Sequence, residues 1–192
     1  LLLAAVISYL RSRHQKPISL VLTGLLLGLT ILTRPEMAVI AGLPLGLLIL
    51  WPRSSPDQAI GASWSEQVGK LLAFTTPSAV FILLLLAVNQ QRFGDPFSNG
   101  FMPINFNFGL GPLLIGLTGT VISPARGILF FFPPSLLSAL GAPALIRRDR
   151  EAGFLFLAII VASILLYASW NDWAGGNSWG PRFLIPILPY LT

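Results

Sequence analysis

Apolar runs alternate with short polar breaks along the chain. Full runs, each with at most one charge at an edge, cover 17–33, 36–52, 70–89, 127–146 and 152–169, and partial runs stand at 1–10 and 183–192. Each full run is close to the length at which a helix crosses a hydrocarbon core, about 20 residues. None alternates apolar and polar residues as the strand of a membrane barrel does. The pattern predicts an all-α fold, a polytopic transmembrane helical bundle with 1–192 forming a single transmembrane domain. Pro44, Pro77, Pro133, Pro134, Pro143 and Pro186 fall inside runs. Each proline deletes one ladder hydrogen bond, so they predict kinked helices. In membrane helices the freed carbonyls find other partners.

The basic residues set an orientation. "RSRHQK", "WPRSSPDQAIGASWSEQVGK" and "RRDRE" fall on one side if every full run crosses once. They carry Arg11, Arg13, Lys16, Arg53, Lys70, Arg147, Arg148 and Arg150, eight of the 12 Lys and Arg. By the positive-inside rule that side faces the cytoplasm. The same balance makes 17–33 and 36–52 a hairpin with "TRPE" at its outer tip. It also makes the Gly-rich 109–123, "GLGPLLIGLTGTVIS", a re-entrant or interfacial element, because a crossing there would put "RRDRE" outside.

Composition sharpens this picture. Only 10% of the 192 residues are charged and 54% are hydrophobic, against about 25% charged in soluble domains. With no cysteine, disulfides, thiolate metal sites and cysteine nucleophiles are excluded. His14, the single histidine, reads as a solvated loop residue in a basic run. No nucleotide-sugar signature and no cofactor motif is evident, and a divalent-metal requirement stays open. The basic balance is explained by cytoplasmic loops, so nucleic acid is not an expected partner. The chain begins without Met and stops a few residues into an apolar run. It is therefore expected to be an internal or truncated fragment of a longer membrane protein.

The remaining arginines all fall on the outer side, each in its own motif: Arg34 in "TRPE", Arg92 in "QRFGDP", Arg126 in "SPARG" and Arg182 in "GPRF". Arg34 either meets a phosphate or staples the turn by pairing with Glu36. "SPARG" presents either an anion site of backbone N–H groups and a guanidinium or a simple turn. Arg92 and Asp95 stand close enough to pair within a structured loop. In "WNDWAGGNSWGPRF", 170–183, an interface belt accounts for Trp170, Trp173 and Trp179. It does not account for Asp172, Gly175, Gly176 and Arg182 beside them. Glycines allow close approach of a ligand, and aromatic faces stack on sugar rings. The loop is expected to line a cleft.

Taken in order, "GLLLGLTILTRPEMAVIAGLPLGLLIL", "NQQRFGDPFSNGF", "SPARGILFFFPPSLLSALGAPALIRR" and "WNDWAGGNSWGPRFLIPILPYL" resemble multispanning glycosyltransferases of the GT-C fold, nearest to bacterial members of the protein mannosyltransferase-like group. The resemblance implies transfer of a sugar from a polyprenyl-phosphate carrier to a saccharide, lipid or protein acceptor. The reaction would run at the outer face of a bacterial plasma membrane. It implies a carboxylate in the first outer loop as the base that activates the acceptor hydroxyl. That loop would lie upstream of residue 1, so the catalytic residue is unplaced, Asp172 is the in-chain candidate, and the fragment alone is expected to be inactive. Arg34, Arg126 and Arg182 are the expected lipid-phosphate contacts. Asp172, Trp173, Gly175, Gly176 and Trp179 are the expected sugar or acceptor cleft. A polysaccharide polymerase or ligase would share these features. A lipid or solute transporter would instead place ionisable groups near the membrane midplane.

Overall fold

Gly24 and Gly28 decide how the first half of the chain packs. The computed structural model describes residues 1–11, 17–51, 64–98, 109–175 and 180–191, and among these the chain is helical with no strand. Two compact units divide it, Leu1–Asn99 and Gly100–Thr192, where the sequence predicts one domain.

The first unit holds α1 (Leu2–Arg11), α2 (Pro17–Thr33), α3 (Leu43–Leu50) and α4 (Trp64–Phe93). Helix α2 is almost wholly apolar, so small residues rather than an apolar stripe select its partner. A Cβ on Gly24 would overlap the Phe74 carbonyl of α4, and one on Gly28 would overlap the Phe81 ring. The backbones therefore come close enough for Ser78 Oγ to donate to the Gly24 carbonyl at 2.9 Å. On the next face, Thr23 Oγ1 donates to Ser8 Oγ at 3.1 Å and ties α1 to α2.

The chain reverses after α2. Met37 N donates to the Arg34 carbonyl at 3.0 Å, and a Cβ on Gly42 would stand 3.5 Å from Leu27 Cδ2. An unbroken helix would separate residues 27 and 42 by about 22 Å. The hairpin predicted around "TRPE" is thus present, although its return arm opens with a π-helical turn, Ala38–Gly42. Pro44 stands just beyond it and withholds the N–H that an α-helix would direct at Ile40. Helix α4 has 30 residues, well past the apolar run 70–89. Its first turns are polar, and Lys70 Nζ meets Glu66 Oε1 at 2.6 Å one turn away.

The second unit holds α5 (Leu110–Val121), α6 (Ile128–Phe131), α7 (Pro134–Arg148), α8 (Arg150–Ala168) and a 3-10 helix, Arg182–Tyr190. The run 127–146, expected as one kinked span, is instead two helices. Pro133 and Pro134 in succession offer no N–H to the carbonyls of Leu129 and Phe130, so α6 ends after 4 residues and α7 restarts with proline in its first turn. The expected span at 183–192 is also not α-helical. Pro186 and Pro189 interrupt the α ladder and lie on one edge of a helix with three residues per turn. Helix α5 has 12 residues, about 18 Å, short of a hydrocarbon core of about 30 Å.

"RRDRE" forms the α7–α8 turn. Arg147 and Arg148 close α7, and Glu151 opens α8, each sign suiting its helix end. Asp149 caps α8 by accepting from Ala152 N at 3.0 Å. Helix α5 crosses the end of α8 where a Cβ on Gly116 would overlap the Ala168 carbonyl. The 3-10 helix runs antiparallel to α8. Phe183 stacks on Tyr167 with centroids 5.0 Å apart, and Tyr190 meets Phe156 edge-on at 5.2 Å. The rise between these contacts is about 16 Å along α8 and about 14 Å along the 3-10 helix, so the two lie side by side. Of all the described helices, Trp64–Phe93 and Arg150–Ala168 are long and apolar enough to cross a membrane.

Candidate functional site

Within the second unit, two of the motifs singled out in the sequence meet. The turn "SPARG" follows α5 and is closed by Gly127 N, which donates to the Ser123 carbonyl at 2.6 Å. It carries Arg126, whose Nη1 donates to the carbonyl of Ala174 in the loop that follows α8. That loop turns on itself, with Trp173 N bonded to the Trp170 carbonyl at 3.1 Å and Gly175 N to the Asp172 carbonyl at 2.9 Å. The indole of Trp173 lies where a Cβ on Gly119 would be, so α5 supplies the floor under it.

An aromatic cluster stands beside the loop. Phe183 stacks on Tyr167 and lies 5.2 Å from the Trp170 ring. The Arg182 guanidinium carbon sits 5.4 Å from the Phe183 ring centre, a cation–π arrangement. Gly175 and Gly180 have φ of 68° and 73°, a left-handed backbone that favours glycine. A Cβ on Gly175 would also press on Phe183 at 2.9 Å. Asp172 is exposed and makes no ion pair or side-chain hydrogen bond among the described residues.

Below this loop, α7, α8 and the 3-10 helix enclose a groove of about 720 Å³, within the range of small-molecule and lipid sites. Val121, Ile128, Ile164 and Ile187 line it near the loop, and Leu145, Gly153 and Leu157 line it farther along. Among the described residues, none that lines it is charged. Two hydroxyls in its wall are buried without a hydrogen bond among the described residues, Ser135 Oγ and Tyr190 Oη. Their residues are 7% and 6% exposed. A buried polar group left unbonded costs about 1–3 kcal/mol. Ser138 Oγ, by contrast, bonds the carbonyls of Pro134 and Leu191 and joins α7 to the end of the 3-10 helix.

The structure thus brings Arg126, Asp172, Trp173, Gly175 and Arg182 into one unit, with Arg126 tied to the loop that carries Asp172, Trp173 and Gly175 and Arg182 opening the 3-10 helix. Arg34 belongs to the first unit. Its Nη1 lies 3.8 Å from Glu36 Oε1 and is buried without a hydrogen bond among the described residues, a position compatible with both the turn staple and a phosphate contact. Arg92 and Asp95 do not pair: the Arg92 guanidinium lies 5.7 Å from the Phe93 ring centre, and Asp95 Oδ1 accepts from Phe97 N at 2.9 Å. Gly176 and Trp179 lie outside the described residues. Among the described residues no group of three or more His, Cys, Asp or Glu is placed to hold a metal. Sequence reasoning missed the groove and its hydroxyls. Their signal was the spacing of Ser135 and Ser138 on one face of an apolar helix.

The class these features define is an all-helical chain with two helices suited to crossing a membrane, carrying an apolar groove beneath a basic and aromatic loop. Comparison with family models, curated proteins and solved structures finds no match.

Proposed function

We propose that this chain is part of a membrane glycosyltransferase of the GT-C type. It would transfer a sugar from a polyprenyl-phosphate carrier to a saccharide, lipid or protein acceptor at the non-cytoplasmic face of a bacterial plasma membrane. The observation that carries this reading is the Arg126–Ala174 hydrogen bond. It holds a guanidinium at the edge of a loop rich in aromatic and glycine residues. A lipid-linked sugar presents the matching pair, an anionic phosphate beside a saccharide.

The chemistry follows from the charge that moves. As the bond between the anomeric carbon and the phosphate oxygen breaks, negative charge grows on the leaving phosphate. The guanidinium donors of Arg126 and Arg182 would stabilise it there. Trp173 and the Phe183 cluster offer faces for sugar rings. The acceptor hydroxyl loses its proton to a carboxylate base, for which Asp172 is the candidate in this chain. Arg34 is a further phosphate candidate in the first unit.

Sugar transfer from a polyprenyl-phosphate donor by the intact protein in vesicles tests this reading. Arg126→Ala and Arg182→Ala are expected to weaken donor binding, each by about tenfold, the size of a lost charge-assisted hydrogen bond. Unchanged donor affinity in both variants would remove the phosphate-site assignment, and failure to turn over any polyprenyl-phosphate sugar would remove the enzyme reading.

A further inference from the structure

The groove of the second unit carries chemistry that a phosphate or an isoprenoid tail does not match. Among the described residues its wall is apolar apart from two serines and one tyrosine, and holds no cation. An anionic phosphate placed there would be desolvated without a counter-charge. A plain isoprenoid tail has no atom that accepts a hydrogen bond, yet the hydroxyls of Ser135 and Tyr190 are buried in the wall with no bond among the described residues. Both hydroxyls belong to residues that line this groove. Ser138 Oγ bonds the Leu191 carbonyl, Tyr190 adjoins Leu191, and Ser135 lies one helical turn from Ser138. The complementary occupant is long, apolar and neutral, with an acceptor partway along it.

We propose that this groove seats an ester-linked membrane lipid, whose ester carbonyls accept hydrogen bonds from Ser135 and Tyr190. The inference rests on the chain lying in a bilayer and not on sugar transfer. It assigns a structural or regulatory lipid to a wall distinct from the Arg126 and Arg182 guanidiniums. Gly141 lines the groove with open space where its Cβ would stand, so a larger side chain there fills the groove without first displacing a neighbour.

The test is native mass spectrometry of the intact protein in mild detergent. One probe is dioleoyl phosphatidylethanolamine, and the other is the ether lipid of the same headgroup and chain length, which lacks both carbonyls. The ester lipid is expected to be retained about tenfold more tightly, the equivalent of one to two net hydrogen bonds. The double variant Ser135→Ala, Tyr190→Phe keeps the shape of the wall and the ring contact with Phe156. It is expected to lower ester retention to the ether level and leave ether retention unchanged, whereas Gly141→Leu lowers both. Equal retention of ester and ether lipid by the unmodified protein overturns the proposal, as does an ester preference that survives the double variant. So does displacement of both lipids by polyprenyl phosphate regardless of those hydroxyls. Retention of neither lipid overturns it too and counts against the bilayer placement, which equal retention leaves standing.

Discussion

Arg126 donates a hydrogen bond to the carbonyl of Ala174 across a sequence separation of 48 residues. A guanidinium has several donors in one plane, so it can hold a backbone carbonyl and still face an anion. This dual position separates it from Arg182, which is exposed and lies over the Phe183 ring.

The two arginines should therefore fail differently. Arg126→Ala is expected to raise amide exchange across 170–175 by about tenfold and to weaken donor binding, because the tether and the charge are lost together. Arg182→Ala should weaken donor binding while exchange in the loop stays unchanged. Exchange measured by mass spectrometry beside donor titration checks both. Equal exchange in the Arg126 variant and the parent would show that the tether does not order the loop.

In the first unit, Gly24 and Gly28 set the approach of α2 to α4. Gly24→Leu is expected to destabilise the protein by about 1–3 kcal/mol, since a side chain must displace the Phe74 backbone. Gly46 has nothing within 4 Å of its Cβ position and lies within α3. Gly46→Ala should be neutral or stabilising by about 0.5–1 kcal/mol. Thermal unfolding in detergent compares the two, and a Gly24→Leu protein as stable as its parent would show that close helix approach does not hold the unit together.

Where one physical effect dominated, the elements were legible in the sequence. The run 17–33 is α2 residue for residue, and 152–169 is close to α8 at Arg150–Ala168, because an uncharged run between polar ends leaves helix as the way to satisfy its backbone. The rest depended on competing local terms. Proline pairs split 127–146 and turned 183–192 into a 3-10 helix, and polar residues such as Glu66 extended α4 beyond its apolar run. Among the candidate site residues, the meeting of Arg126 with the loop after α8 was not legible, since it depends on how α5 crosses α8 at Gly116. The hydroxyls of Ser135 and Tyr190 were passed over because they stand on different elements, and the spacing of Ser135 from Ser138 does not by itself bring Tyr190 to the same groove.

Asp149 is the connection between α7 and α8, and its carboxylate accepts from Ala152 N. Asp149→Ala is expected to cost about 1 kcal/mol and to speed exchange at the first turn of α8. Asp149→Asn should retain most of the cap. If both substitutions destabilise equally, charge at the helix terminus outweighs the capping bond, and the loss should then shrink at high salt.

The distribution of arginine and lysine makes a statement about sidedness that a chain without cysteine allows to be tested one position at a time. Pro35 and Asn171 are exposed and lie in segments expected on the outer side. Arg148, also exposed, lies in the basic turn expected on the cytoplasmic side. In cells or sealed vesicles of known orientation, Pro35→Cys and Asn171→Cys should react with an impermeant maleimide from the outer side. Arg148→Cys should react only after the membrane is opened. Three patterns discriminate. Labelling of all three before opening would speak for a surface-bound or soluble chain. Reaction of Arg148→Cys from outside with the other two protected would invert the topology and put the Arg126 loop in the cytoplasm. Reaction of Pro35→Cys and Asn171→Cys from opposite sides would mean an odd number of crossings between them. Arg34 would then lie on the side opposite Arg182, and its place among the phosphate candidates would have to be abandoned even if the chain spans the bilayer.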